Sequence, residues 1–544
     1  MQDINYNALA SKFSAKYRSN EIEKISNSTF DLIIIGGGIT GGGILLDAAS
    51  RGLNAILIEK SDFSSGTSSK STKLIHGGLR YLKKFEFNLV RKVGKERKIA
   101  NSNAPHLVLS KKMLLPIYKN GNLKKWQTRL ALKIYDFLAG VKGNERYKIL
   151  NTKATIQKEN LLKSDNLLGA GYYAEYTTDD SRLTLEVIKT AITYGASAIN
   201  YCKASKLLKY NNKISGVSCQ DLKTENIFNL YAKNIINASG PWVDKICRLD
   251  SSSISKNICH SLGIHIVIDK AILALKNPVY FDTDDGRMCF AIPKEHVTYV
   301  GTTDTIYNSD IENLKIEEKD IYYLIKAINN AFSMKEIDRK DVISAWAGLR
   351  PLIFKKNTKT SELSRKDELI ISDSGLITIA GGKLTGYRLM AKKVVDKVCN
   401  LENLNKKCKT RQVKLIGSEF IAKFTLDNYY NIINKKLEKF NLDKNISNYL
   451  VSKYGSQSEE IINIFNNNKL KHIVEAEAIF CIKYENTHTL LDFFLRRSGK
   501  IYYNPKLVIN ELKIVSAVFK DKLNINDNNI FLQEKEVKES LIMT

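Results

Sequence analysis

Short apolar runs alternate with amphipathic stretches between residues 30 and 400 of the chain. Asp31–Ile35 and Ala55–Ile58 are uninterrupted apolar runs rich in β-branched residues, which predicts two buried strands. Ala198–Tyr201 and Ile235–Asn237 have the same character. Before them, Asp179–Gly195 carries apolar residues at helical spacing, which predicts a helix with one buried stripe.

A strand with two different faces is predicted further along the chain. Ser261–Ala274 alternates three isoleucines on one face with His265 and Val267 on the other. Phe281–Arg287 and Phe290–Pro293 have the pattern of a hairpin. On the strand pattern alone, a single buried histidine is more often structural than catalytic.

The last quarter of the chain differs in composition: it is rich in Lys, Asn, Ile and Glu and poor in Gly and Pro. Its apolar periodicity predicts a helical domain over residues 401–544. The predicted helices are Phe424–Phe440, Ser447–Tyr454, Ser458–Asn466 and Lys506–Leu523. At the other end, residues 1–28 are polar, and we expect a helical or loose leader.

Residues 121–140 have the pattern of a basic amphipathic helix. Apolar side chains share one face, and basic side chains lie beside it. These are Trp126, Leu130, Ile134 and Phe137, with Lys125, Arg129 and Lys133 on the flank. The pattern is typical of a helix at a membrane interface. A helix packed on its own domain with a solvated basic flank is the other interpretation.

A glycine motif connects the first predicted strand to a helix. Gly36, Gly38 and Gly41 form G-x-G-x-x-G directly after Asp31–Ile35. The first glycine permits a tight turn, the second a close approach of pyrophosphate, and the third close packing of helix on strand. Glu59 ends the second strand, 23 residues after Gly36, where a carboxylate can bind a ribose diol. The segment therefore predicts a dinucleotide-binding β-α-β unit.

Length and composition limit the classes of protein to consider. The 544 residues suffice for two or three domains, and a net charge of +27 favours anionic substrates or anionic lipid surfaces. Eight scattered cysteines without a C-x-x-C pair argue against a zinc site and a disulfide framework. We expect no metal, no secretory signal and no membrane-spanning helix. No nucleic-acid-binding signature is present, so we expect no nucleic acid partner.

A run of small polar residues follows the second strand. Residues 64–72 are all Ser or Thr except Gly66 and Lys70, and they lead into His76-Gly77-Gly78-Leu79-Arg80-Tyr81. A polar loop is one interpretation. The other is a second contact to the cofactor, with His76, Arg80 and Tyr81 beside a flavin ring.

This combination resembles the FAD-dependent glycerol-3-phosphate dehydrogenases of respiratory chains. The resemblance covers roughly residues 30–400. It rests on GTSSKSTKLIHGGLRYL (66–82), NASGPWVD (237–244), FAIPKEHVTYVGTTDT (290–305), AWAGLRPL (345–352) and GGKLTGYR (381–388). The calcium-binding loop pattern D-x-[DN]-x-[DN]-G of the mitochondrial enzymes is missing, which favours a bacterial-type protein.

The resemblance implies an α/β fold with three parts. These are a Rossmann-like FAD-binding domain of the glutathione-reductase type with two dinucleotide-binding motifs, a β-rich substrate domain and a helical C-terminal domain. The expected FAD-binding segments are about 29–100, 175–250 and 340–400, and the expected substrate segments are about 101–174 and 251–339. The helical domain is expected over residues 401–544.

The same resemblance assigns roles to residues. Arg350 and Arg365 match the substrate-binding arginines, and Arg80 and Tyr81 match the pair beside the flavin. The expected substrate-binding residues are Arg80, Tyr81, His265, Arg350, Arg365 and Lys383. We expect His265 as the base, with His76 as its rival, and we expect His265, Arg350 and Lys383 to be the catalytic residues. The predicted cofactor contacts are Gly36, Gly38, Gly41, Glu59, Lys60, Thr67, Ser68, Ser69, Thr72, Lys73, His76, Gly77, Gly78, Ala238, Gly240, Gly382, Lys383, Leu384 and Thr385.

The implied reaction is oxidation of sn-glycerol 3-phosphate to dihydroxyacetone phosphate, with electrons passed through FAD to ubiquinone or menaquinone. We expect a homodimer attached peripherally or monotopically to the cytoplasmic face of the bacterial inner membrane. One alternative is a glycerol-3-phosphate oxidase that uses oxygen. Others are an amino-acid-oxidase-like flavoenzyme and a non-catalytic basic protein that retains a flavin.

Overall fold

The computed structural model describes residues 6–77, 86–122, 124–250, 258–353 and 367–543. Its strands are β1 Thr29–Ile35, β2 Ala55–Ile58, β3 Leu74–Ile75, β4 Leu109–Tyr118, β5 Lys148–Leu150, β6 Leu167–Thr177, β7 Ser197–Ile199, β8 Cys202–Tyr210, β9 Lys213–Asp221, β10 Ile227–Asn237, β11 Ile258–Asp269, β12 Val279–Asp282, β13 Met288–Lys294, β14 Val297–Gly301, β15 Thr305–Ile306, β16 Val342–Ile353, β17 Glu368–Ile371 and β18 Ile377–Ala380.

Helices connect and cover these strands. They are α1 Tyr6–Lys12, α2 Arg18–Ser26, α3 Ile39–Ser50, α4 Phe87–Asn103, α5 Lys125–Ala139, α6 Thr152–Lys158, α7 Asp180–Thr193, α8 Val243–Leu249, α9 Glu318–Ala331, α10 Tyr387–Leu401, α11 Leu426–Glu438, α12 Lys444–Tyr454, α13 Ser458–Asn467, α14 Ile473–Tyr484, α15 Lys500–Tyr503, α16 Pro505–Leu523 and α17 Asp527–Met543. In the part of the chain that the structure describes, no helix is long and apolar enough to cross a membrane.

The first sheet has the order β17-β18-β10-β1-β2-β7, with β8 and β9 attached beside β10. β18, β10, β1, β2 and β7 are parallel. Alternate residues of β1 enter two different cores, Leu32 and Ile34 on one side and Ile33 and Ile35 on the other. A strand covered on both faces needs the continuous apolar sequence that Asp31–Ile35 has.

The second sheet has the order β15-β11-β14-β13-β12-β4-β6-β3, with β16 paired to β11 and β5 to β6. As the alternating pattern predicted, Ile264 and Ile266 of β11 lie in one core and Val267 in another. β12 and β13 form the predicted antiparallel hairpin. The two-sheet α/β fold with a helical C-terminal part matches the predicted fold class.

Both ends of the described chain pack onto this framework. α11, α12, α13 and α16 correspond to the four helices predicted from periodicity. Residues 6–26 of the predicted leader form α1 and α2. Leu9 and Phe13 are fully buried there, and Arg18 forms an ion pair with Asp221 at 2.8 Å. This mainly polar segment therefore contains a few apolar side chains that pack into the core.

Candidate functional site

A cavity of about 1400 Å³ lies between the two sheets. Residues directly after β1, β2, β10 and β18 line one side of it, among them Gly36, Glu59, Ala238 and Gly381. The carboxyl ends of parallel strands meet at one edge of a sheet, where ligands of such folds bind. Residues of β11 and β16, including His265 and Arg350, line the opposite side.

The glycine motif leaves no room for side chains between β1 and α3. A Cβ at Gly36 would lie 2.6 Å from the Ala238 carbonyl oxygen, and one at Gly41 would lie 1.9 Å from the Gly36 carbonyl oxygen. Gly36 also has a φ of +117°, a conformation that glycine adopts readily. Gly38 and Ile39 line the cavity at the start of α3, and the N-terminus of a helix attracts phosphate.

The Glu59 carboxylate binds the backbone of the glycine loop. Its Oε2 accepts a hydrogen bond from the Gly37 N–H at 2.7 Å, and its Oε1 accepts one from the Ser61 N–H at 2.8 Å. Burial raises the pKa of the carboxyl, and these two backbone bonds oppose the shift. The carboxylate thus reaches the cavity in a fixed orientation, at the position where a ribose binds in this type of unit.

The Ser/Thr run forms a wall of the cavity and is held by one aspartate. Ser68 Oγ accepts a hydrogen bond from the Ile39 N–H at 2.9 Å. Asp180 of α7 accepts a hydrogen bond from the Ser71 hydroxyl and forms an ion pair with Lys73, each at 2.6 Å. The Lys73 ammonium is therefore directed at Asp180, while Thr67, Ser68 and Thr72 line the cavity.

His265 is buried beside the cavity wall. Its ring stacks on that of Trp346, its neighbour on β16, with centroids 4.9 Å apart and an interplanar angle of 11°. Nε2 lies 2.9 Å from the Thr72 hydroxyl, and Nδ1 has no hydrogen-bond partner among the described residues. Burial, and then the charges of Arg350 and Lys73, hold the pKa of His265 well below 6.5. The imidazole is therefore neutral at neutral pH.

Arg350 is fixed by the segment between β14 and β15. Its guanidinium donates to the Thr302 hydroxyl at 2.9 Å and to the Thr303 carbonyl at 3.2 Å. It also forms an ion pair with Asp304 at 3.3 Å. The side chain remains 22% exposed, so the cation borders the cavity and can reach a bound anion. A planar guanidinium can hold two phosphate oxygens at once.

The turn after β18 also borders the cavity. Gly381 and Gly382 have positive φ values of 75° and 84°, which positions Lys383 at the cavity surface before α10 begins. The Thr385 hydroxyl donates to the carbonyl of His76 at 3.2 Å. The predicted turn from strand to helix is therefore present and joins the end of the Ser/Thr segment.

The backbone after His76 is anchored by a buried polar cluster. The Gly77 N–H donates to the Tyr135 hydroxyl of α5 at 3.0 Å, and that hydroxyl donates to Glu175 at 2.6 Å. Arg97 forms an ion pair with Glu175 at 2.9 Å. Glu175 also borders the cavity, although no sequence motif identified it.

Most predicted site residues meet at this cavity, but not all. Those that line it are Gly36, Gly38, Glu59, Lys60, Thr67, Ser68, Thr72, His76, Ala238, Gly240, His265, Arg350, Gly382, Lys383, Leu384 and Thr385. Four predicted residues do not line the cavity: Gly41, Ser69, Lys73 and Gly77. Gly78, Arg80, Tyr81 and Arg365 lie outside the described residues.

Several lining residues had no signal in the sequence. Lys245, Arg287 and Glu312 carry charged groups to the cavity from loops and a short helix. Trp242 also lines the cavity; it lies in the motif NASGPWVD (237–244), although no contact was predicted for it. Trp242 and Lys245 both contact Glu312, which is distant from them in sequence, at 2.9 Å and 2.6 Å. An isolated charged residue in a loop carries no pattern that sequence analysis can detect.

The fold and the cavity define a protein of the FAD-dependent oxidoreductase class, whose family model matches residues 31–388. A second family model, for the C-terminal domain of alpha-glycerophosphate oxidase, matches residues 408–530. The aerobic glycerol-3-phosphate dehydrogenase of Bacillus subtilis is 46% identical over 506 residues, 91% of each chain. That of Staphylococcus aureus is 42% identical over 96% of this chain and 97% of its own. The chain belongs to the aerobic glycerol-3-phosphate dehydrogenase family.

Solved structures agree with this family. The glycerol-3-phosphate dehydrogenase of Bacillus halodurans complexed with FAD has a TM-score of 0.83 and 37% identity, with 98% of both chains covered. The L-alpha-glycerophosphate oxidase of Mycoplasma pneumoniae shares the fold at a TM-score of 0.54 and 17% identity, covering 70% of this chain and 97% of its own. FAD is the cofactor of the family, and the side-chain-free backbone at Gly36 and Gly41 fits it.

Proposed function

We propose that this chain oxidises sn-glycerol 3-phosphate to dihydroxyacetone phosphate and passes the electrons to ubiquinone or menaquinone of the bacterial plasma membrane. The observation that carries the proposal is that one cavity holds both halves of the chemistry. The glycine loop after β1 lies on one side of it, and Arg350 and His265 lie on the other. The substrate named for the family's relatives carries a phosphate that needs a cation and an alcohol that needs a base.

Arg350 is the proposed phosphate-binding residue. It is partly exposed at the cavity, and its contacts with Thr302, Thr303 and Asp304 fix its direction. Because those contacts hold the guanidinium before substrate arrives, less side-chain entropy is lost on binding. Lys383 and Arg287 are further cations on the cavity wall. Arg80, Tyr81 and Arg365 remain predicted contacts to the same substrate.

His265 is the proposed base for the hydroxyl proton. Its depressed pKa keeps the imidazole neutral, and the residue lines the cavity. A base must be unprotonated before it can accept a proton, and the nearby Arg350 favours this state. His76 also lines the cavity and is the alternative base. When bound, FAD supplies the redox chemistry by accepting the hydrogen on the alcohol carbon as hydride.

The electron acceptor is tested by comparing two products. Purified holoenzyme is given glycerol 3-phosphate with either a short-chain ubiquinone or dissolved oxygen, and quinol and peroxide are measured. We expect quinol formation to exceed peroxide formation by at least about tenfold, a difference of 1.4 kcal/mol in the barrier. Peroxide as the main product would favour the second candidate, an oxygen-using oxidase, which the name of the C-terminal family model suggests.

The surface of α5 supports a peripheral or monotopic position on the membrane. Trp126, Leu130 and Phe137 are 65%, 50% and 84% exposed. Lys125 and Arg129 are exposed beside them. Exposed aromatic and aliphatic side chains flanked by basic residues suit the interface of an anionic bilayer. The cytoplasmic face of the membrane is the proposed location because the resemblance to the family implies it. Light scattering in detergent tests the predicted homodimer.

A further inference from the structure

The loop between β15 and α9 extends from the second sheet to the cofactor side of the cavity. Ile311, Glu312 and Leu314 of this loop line the cavity. Ile311 and Leu314 also pack against the core of the second sheet. Asp310 braces the loop by accepting a hydrogen bond from the Glu312 N–H at 3.0 Å. The loop is therefore anchored on one side of the cavity before its carboxylate reaches the other.

Glu312 contacts three residues in segments that follow strands of the first sheet. Its carboxylate forms ion pairs with Lys60 at 2.5 Å and Lys245 at 2.6 Å. It also accepts a hydrogen bond from the Trp242 indole at 2.9 Å, and the Lys60 ammonium lies 4.7 Å from the centroid of that ring. Lys60 follows β2, whereas Trp242 and Lys245 follow β10. All of these residues line the same cavity as the glycine loop.

The bridge lies at the surface and is not part of a core. Glu312 and Lys60 are each 35% exposed, and Lys245 is 51% exposed. Ion pairs of this kind are individually weak and screened by salt, so the bridge can open without unfolding either sheet. Although burial raises the pKa of Glu312, the bonds from Lys245 and Lys60 lower it overall, so the carboxylate is ionised at neutral pH.

We propose that Glu312 is an ionic latch that retains FAD by joining the two sides of the cavity across the bound dinucleotide. The loop thus forms part of the cofactor site, although it belongs to the sheet opposite the glycine motif. The cofactor leaves when Glu312 separates from Lys60, Lys245 and Trp242. Salt weakens the two ion pairs, so the release of FAD depends on ionic strength.

The test measures release of FAD directly and does not use glycerol 3-phosphate. Holoenzyme is diluted, and the rise in fluorescence of free FAD is followed at 50 mM and 500 mM NaCl. We expect Glu312→Gln to release FAD about five- to thirtyfold faster than the unmodified protein at 50 mM NaCl, because both ion pairs are lost. Glu317→Gln is the control, because Glu317 pairs with Lys319 on the surface and does not line the cavity. Its release rate should be unchanged.

The salt series separates a latch from a general loss of stability. High salt should accelerate release from the unmodified protein several-fold and from Glu312→Gln much less, since the screened pairs are already absent. Lys245→Gln should also accelerate release, but add little in the Glu312→Gln background, because the two residues act through one contact. The proposal is overturned if Glu312→Gln releases FAD at the unmodified rate or more slowly, or if salt has the same effect on both proteins.

Discussion

Arg350 lines the cavity, and its guanidinium contacts Thr302, Thr303 and Asp304. Arg350→Ala removes the proposed phosphate contact and leaves the glycine loop intact. Charge-assisted hydrogen bonds contribute about 1.5–3 kcal/mol, so KM for glycerol 3-phosphate should rise about 10- to 150-fold. Affinity for FAD should change far less. Steady-state kinetics and flavin titration measure the two effects.

A matched control for this variant is Arg339→Ala. Arg339 is an exposed arginine that pairs with Glu318 and does not line the cavity. Its removal should leave KM unchanged. An unchanged KM in Arg350→Ala as well would remove Arg350 from the substrate site.

His265 gives a prediction about pH. Burial, Arg350 and Lys73 lower the pKa of its imidazole well below 6.5, so the neutral form persists below that pH. The acid limb of kcat/KM due to this group should therefore lie well below pH 6.5. His265→Asn should lower kcat about 10²- to 10⁴-fold, as expected for loss of a general base. If His76→Asn causes that loss and His265→Asn does not, His76 is the base.

The site residues that could be predicted from the sequence are those that belong to one local motif. Gly36, Gly38 and Glu59 were recognisable because their spacing follows from one β-α-β unit. Lys73 was predicted to contact the cofactor, yet its ammonium pairs with Asp180, 107 residues away. Glu312 had no local pattern, because its partners follow strands of the other sheet.

The α5 helix is the element whose surface makes the clearest prediction. Its bounds, Lys125–Ala139, fall within the predicted 121–140, and Gly140 ends it with a φ of 61°. Leu132 and Tyr135 are buried on its inner side, so the helix packs on its own domain and still exposes Trp126, Leu130 and Phe137. Packing of the helix on its own domain is therefore compatible with contact to a membrane, the other interpretation from the sequence. One helix has two apolar regions, one buried and one exposed.

Phe137→Gln combined with Leu130→Gln should weaken binding to vesicles of anionic phospholipid. Each lost side chain contributes about 1.5–3 kcal/mol when fully buried, so affinity should fall at least about tenfold. Co-sedimentation with vesicles measures it. Phe531→Gln with Ile509→Gln is the control, since both side chains are 60% exposed on α16 and α17. Equal loss in both pairs would argue against α5 as the membrane contact.

At the scale of the whole molecule, buried charges join α7 to the C-terminal helices. Glu485 forms ion pairs with Arg182 at 2.7 Å and Lys189 at 2.9 Å, and all three side chains are fully buried. Asp62 pairs in the same way with Arg496 and Arg497. The apolar periodicity predicted the helices, but it could not predict this junction, because the paired residues of the two clusters are 303 and 434 positions apart.

Glu485→Gln should destabilise the protein strongly. It leaves the buried cations Arg182 and Lys189 with Glu186 as their shared carboxylate partner, one negative charge for two positive ones. Breaking a buried ion pair in this way costs about 3–5 kcal/mol. Thermal unfolding followed by circular dichroism measures the fall, with the exposed Glu438→Gln as the control. Although burial raises the pKa of Glu485, Arg182 and Lys189 lower it overall from the usual 4.5. Its contribution should be complete above that pH and decline only in more acidic solution.

We propose that one cavity holds both FAD and glycerol 3-phosphate. The most direct test is anaerobic addition of glycerol 3-phosphate to the purified FAD-bound protein, with the flavin absorbance near 450 nm recorded. We expect stoichiometric bleaching of the flavin and formation of one dihydroxyacetone phosphate per flavin. Adding a quinone should then restore the absorbance. A flavin that stays oxidised with glycerol 3-phosphate but is bleached by an amino acid such as glycine would contradict it.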